Sequence, residues 1–129
     1  MSPEQFIANL KESVHDSAIS DALATLDSPS GRKPQPRLVA LSRWYHSLAP
    51  DDKAYLKQAM ALGVHAAMFG FLAVIDGARS VSDRPGTLKL ELHALDEGNR
   101  SRLNPDSGEM LHDLYQSEVF EEVFGATAA

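Results

Sequence analysis

The sequence contains no cysteine, which removes disulfide scaffolds, thiolate metal sites and thiol nucleophiles from consideration and suits a reducing cytosol. Its N-terminal stretch, MSPEQFIANLKESV, has neither the basic segment nor the apolar segment of a secretory leader, so a cytoplasmic protein is expected. The longest apolar stretch, Ala59 to Ile75, falls short of the roughly 20 residues that a spanning helix needs. It also contains Gly63, His65 and Gly70. A buried core helix is therefore expected, and no membrane partner.

The common chemical signatures are absent as well. No GxSxG nucleophile elbow, phosphate-binding P-loop or GxGxxG turn occurs, and none of the five histidines stands in a HExxH or His-x-His spacing. His15-Asp16 and His112-Asp113 match the His-Asp dyad of metal-dependent phosphohydrolases in letters only, since neighbours on a helix point about 100° apart. The Asp76-Gly77 stretch lacks the ligand spacing of a calcium loop. No catalytic residue, metal ligand or cofactor site is assigned from the sequence. Arg32, Lys33, Arg37 and Arg43 lie near Trp44 and Tyr45, but in a chain of pI about 5.2 they do not make a nucleic-acid domain. No nucleic-acid partner is expected.

What is present describes one soluble globular domain, 1–129. The chain has 129 residues, 43% of them hydrophobic and 23% charged, which is enough to bury a core and too apolar to stay disordered. The net charge is −6, and its placement is uneven. Residues 1–75 balance seven acidic against seven basic side chains, whereas residues 103–129 hold Asp106, Glu109, Asp113, Glu118, Glu121 and Glu122 with no Lys or Arg. Such a surface repels phosphate backbones and steers cationic partners.

The pattern predicts an α+β, mostly helical fold: three N-terminal helices with a central apolar one, a single β-hairpin and a C-terminal helix. Ser2, Pro3 and Gln5 make a helix start, and apolar residues from Phe6 to Leu26 keep three-four spacing, giving a helix over 3–26. A proline-rich connector follows. Pro36 opens a helix over 36–48, and Pro50 opens the central helix, 50–77, stopped by Gly77. This helix is apolar all round from Ala59 onward, the pattern of a helix covered on several sides, with Gly63 and Gly70 letting a neighbouring backbone come close. Leu88, Leu90 and Leu92 alternate with Lys89, Glu91 and His93, predicting a hairpin over 87–104. Residues 107–124 read as one helix or two short ones.

At the end of the central helix, Asp76 faces the negative pole of its own helix dipole; pairing with Arg79 or Arg84 is expected to offset this. His65 is expected to be a core histidine bonded to a carbonyl or hydroxyl.

From Phe69 to Gln116 the chain resembles a family of small acidic uncharacterised bacterial proteins. The likeness rests on FGFLAVIDGARSV, the GTLKLEL strand and RLNPDSGEMLHDLY, with Phe6-Ile7-Ala8-Asn9-Leu10 and Ser47-Leu48-Ala49-Pro50-Asp51-Asp52-Lys53 upstream. The family implies no activity and no catalytic residues. By analogy such proteins look like immunity or antitoxin partners of basic toxins. The function expected is a non-enzymatic protein-binding module whose acidic C-terminal surface engages a protein partner, a basic toxin being the candidate. The residues assigned to that contact are Asp113, Glu118, Phe120, Glu121, Glu122 and Phe124, with Tyr115 reserved for the core. A self-associating homodimer is the alternative, and a small metal-dependent hydrolase is the third reading.

Overall fold

The computed structural model describes residues 1–84 and 86–126. The chain enters as expected, with a reciprocal capping box: Gln5 N–H donates to Ser2 Oγ at 3.1 Å, and Ser2 N–H donates to Gln5 Oε1 at 2.9 Å. That cap starts α1, Pro3–Leu10. The predicted single helix over 3–26 is helical throughout but not uniform. Between α1 and α2, Ser17–Asp27, runs a π-helical segment, Lys11–Asp16. Its i→i+5 ladder stacks residues five apart and is a rare geometry that often accompanies function.

α3 covers Pro36–Ser47 and is tied to the end of α2, where His46 Nε2 lies 2.7 Å from the Asp27 carbonyl. α4, Pro50–Ile75, is the 26-residue central helix, and Asp76 is its C-cap. Gly77 follows with φ 80°, the left-handed stop that only glycine adopts cheaply. α5 is one uninterrupted helix, Leu111–Phe124, preceded by irregular chain from 107 to 110.

The hairpin is shorter than predicted. β1, His93–Asp96, pairs antiparallel with β2, Asn99–Arg102, with Asp96 opposite Asn99. Glu97 and Gly98 both have positive φ, which matches the twist of a two-residue turn. Residues 88–92 stay outside the ladder because a side chain takes the place of a partner strand. Asn104 Oδ1 accepts from Leu92 N–H at 2.7 Å, while its Nδ2 donates to the Leu90 and Ile75 carbonyls, both at 2.9 Å. The buried Asn104 thus welds the extended chain to the end of α4.

The core is one cluster. Ile7 and Ile19 from the N-terminal helix, Ala61 and Leu72 from α4, and Leu111, Tyr115, Val119 and Val123 from α5 close around each other. α4 packs on α5, α2 and the π segment. It is not covered on several sides, however. Tyr55, Leu62 and Phe71 are exposed, and only 22% of its most apolar window is buried. Its main neighbours are α5, α2 and the π segment, while α3 packs chiefly on α2 and the two strands chiefly on each other. The helix is long and apolar enough to cross a membrane by length and composition alone, a test that the core helix of a soluble protein also passes.

The two glycines within α4 likewise differ from expectation. Gly63 faces open space, and what lies over Gly70 is the Arg79 guanidinium, not a neighbouring backbone.

Candidate functional site

α5 contributes to two histidine clusters, one at His112 and one at Tyr115. At its start, Met110 occupies the N-cap position and offers no side-chain acceptor. Asp76 supplies one from the end of α4. Its Oδ2 accepts from the His112 backbone N–H at 2.9 Å and lies 2.7 Å from His112 Nδ1, with the Asp76 side chain only 3% exposed. A carboxylate only accepts, so the imidazole proton sits on Nδ1. The expected Asp76–Arg pair is therefore replaced by Asp76–His112. The physical reason is that one carboxylate, disfavoured at the negative end of α4, lies simultaneously at the positive end of α5. Arg79 is instead folded over Gly70. The other imidazole nitrogen, Nε2, lies 3.5 Å from Asp113 Oδ1. Asp76 thus caps α5 from the end of α4.

One turn further on, Tyr115 is fully buried. Its hydroxyl lies 2.6 Å from His15 Nδ1, and its ring stacks on His65 with centroids 5.7 Å apart. Burial, reinforced by the nearby Glu122 and Asp16 charges, pushes the Tyr115 hydroxyl up to about 12. Burial also pushes both His15 and His65 down from their ordinary value, so both are neutral at pH 7. His65 differs from the expected hydrogen-bonded core histidine. It is half-buried, its Nε2 has no partner, and the ring is held by Phe69, Tyr115 and Phe124. Stacking, available because the helices bring three rings together, holds the imidazole where no carbonyl or hydroxyl is in reach.

Beside Tyr115 the π segment contributes Lys11, His15 and Asp16. Lys11 Nζ bridges Asp16 Oδ2 at 3.2 Å and Glu122 Oε2 at 3.3 Å. The Asp16 hydrogen bond, opposed by burial and aided by Glu122, holds the Lys11 ammonium above its ordinary value. Lys11 and Asp16 meet because they are five apart on a π turn. No sequence spacing announces this group, since Glu122 comes from the other end of the chain.

The opposite face of α5 carries four of the six residues assigned to partner contact from the sequence. Asp113, Glu118, Phe120 and Glu121 line one concave surface together with Glu109, Gln116 and Ser117. Among the described residues, no Lys or Arg lies in salt-bridge range of Glu109, Asp113, Glu118 or Glu121. Two assigned residues do not line this surface: Glu122 pairs with Lys11, and the half-exposed Phe124 ring lies between Phe120, at 5.1 Å, and His65, which it meets edge-on at 4.9 Å. Asp106 is also not part of the acidic face. Lys89 and Arg102 bind it and hold its carboxyl below the ordinary range. The carboxylates are thus only partly unpaired, because the hairpin and the π segment return cations to the tail.

A second open surface was not foreseen. Phe6, Leu10 and Val14 from the N-terminal helix and Ala67, Met68 and Phe71 from α4 line an apolar groove of about 400 Å³, together with Leu92. Searches of protein-family models, curated proteins and solved structures find no match to this chain.

Proposed function

We propose that this chain is a cytoplasmic, non-enzymatic protein-binding module that engages a basic protein, in the manner of an immunity or antitoxin protein occluding a toxin. The observation that carries this reading is the outer face of α5. Four carboxylates without a Lys or Arg partner among the described residues, Glu109, Asp113, Glu118 and Glu121, line one concave surface beside the half-exposed ring of Phe120. Charge of one sign steers a cationic partner and fixes its orientation, while an aromatic anchor within a charged rim supplies the desolvated contact.

The test is capture of proteins from native lysate at low and high salt, with wild-type chain and the triple reversal Glu109→Lys/Glu118→Lys/Glu121→Lys as baits. A basic protein should be retained by the wild type, released as salt rises and lost with the reversal. Retention that survives the reversal, or no basic protein retained, contradicts the reading.

The open face of α4 favours a second reading, a homodimer. No charged side chain occurs from Gln58 to Ile75, so this face offers nothing to a charged partner and matches a copy of itself. Exposed Ala59, Gly63 and Ala67, spaced four apart, let two such helices approach closely beside Leu62 and Phe71. Light scattering at high micromolar concentration should then give twice 14.0 kDa, reduced to one chain mass by Leu62→Lys. A wild-type monomer rules the dimer out.

A further inference from the structure

Among the described residues, buried polar atoms of His15, Asp16, His65, His93 and Arg102 lack a hydrogen-bond partner, and two of these residues, His15 and Asp16, lie in a cluster with ligand-type spacing. One imidazole nitrogen of His15 and one carboxylate oxygen each of Asp16 and Glu122 lie within 4.8 Å of one another. His15 is fully buried, Tyr115 occupies its Nδ1, and its Nε2 has no hydrogen-bond partner. Asp16 Oδ2 is held by Lys11, but Asp16 Oδ1 is also buried without a partner. Orphaned buried polar atoms are destabilising, and two on adjacent residues beside a third ligand-type side chain call for a common partner. A cation satisfies both at once if the His15 proton is on Nδ1, where the Tyr115 oxygen can accept it.

We propose that His15, Asp16 and Glu122 bind a divalent transition-metal ion of the zinc class, and that Lys11 is the ammonium that holds the two carboxylates until the metal displaces it. An imidazole with two carboxylates suits zinc better than magnesium or calcium, which take oxygen donors. Tyr115, whose hydroxyl lies 2.6 Å from His15 Nδ1, is placed to fix the tautomer and orientation of a ligating histidine. The π turn puts Lys11 and Asp16 over one another, so the competing cation is built into the same segment as two of the ligands. Asp16 and Glu122 side chains are 38% and 47% exposed, which opens the site to solvent. Binding would join the N-terminal helix to the last turns of α5.

The experiment uses the full chain freed of metal with a chelator, then titrated with Zn2+ and, separately, with Mg2+ and Ca2+, by calorimetry and thermal melting. One Zn2+ should bind per chain and raise Tm by roughly several degrees at saturation, while Mg2+ and Ca2+ have no effect. Lys11→Met should raise zinc affinity and Glu122→Gln should lower it about tenfold or more. Both positions are solvent-accessible, so the variants separate ligation from folding, and His46→Asn controls for exposed imidazole. No rise in Tm, a rise that Glu122→Gln leaves intact, or one that His46→Asn abolishes overturns the proposal.

Discussion

Two histidine–carboxylate groups meet α5, one near each end, and they are built to different standards. At the N-terminal end, Asp76 accepts from both the His112 backbone N–H and Nδ1, and neither residue keeps a buried side-chain atom without a partner. Near the C-terminal end, His15 and Asp16 each keep a buried atom with no partner, and a lysine stands between the carboxylates. A satisfied group fixes structure, because any change leaves something unpaired. An unsatisfied one has room for a ligand. The difference teaches that a His-Asp juxtaposition is read from its remaining lone pairs, not from its letters.

The comparison can be broken most severely at the residue that buttresses the unsatisfied group. Tyr115→Ala should destabilise the protein by about 3–5 kcal/mol in chemical denaturation, from the loss of a fully buried ring. Tyr115→Phe keeps the ring and strands His15 Nδ1, for about 1–3 kcal/mol. A Phe variant as damaged as the Ala variant would mean that the hydroxyl, and not packing, holds this site.

The satisfied group should respond next. Asp76→Ala removes the acceptor for two His112 donors and the cap of α5, for about 2–3 kcal/mol, while Asp76→Asn retains one acceptor and costs less. Equal stability of wild type and Asp76→Ala would refute the interhelical cap. Arg79→Ala is a useful contrast, because the sequence suggested Arg79 as the Asp76 partner; its effect should not depend on whether Asp76 is present.

A smaller effect concerns pH. Burial depresses His65, so the unfolded chain takes up a proton at this site that the folded chain does not. The stability contributed by the neutral ring is complete above the ordinary imidazole value of 6.5 and is lost as pH falls below it, toward the depressed folded value. Thermal melts between pH 7 and pH 5 should show Tm falling, and His65→Phe should flatten that fall. A His65→Phe profile parallel to wild type would remove His65 from the account.

Much of the fold was legible because local chemistry sets it. The Ser2–Gln5 capping box, Pro36, Pro50 and Gly77 each mark an end that the backbone must solve within a few residues. Partners distant in sequence were not legible. Asp76 finds His112 because α5 turns back onto the end of α4, and nothing within a turn of Asp76 signals it. The Leu88–Leu92 alternation promised a strand, but Asn104 completes those backbone groups with a side chain. Periodicity showed α4 to be apolar all round without saying which neighbours would cover it. At the candidate site, four of six assigned contact residues share one surface because they lie on one helix face. The His15–Asp16–Glu122 group escaped notice since it needs a π turn and both ends of the chain.

The contrast between the two histidines is tested most directly by nitrogen-15 NMR of the imidazole rings during a zinc titration of the metal-free protein. The account predicts that the His15 Nε2 resonance moves to a metal-bound position as one equivalent is added, while both His112 nitrogens stay in place. Movement of His112 instead, or an unchanged His15, contradicts it.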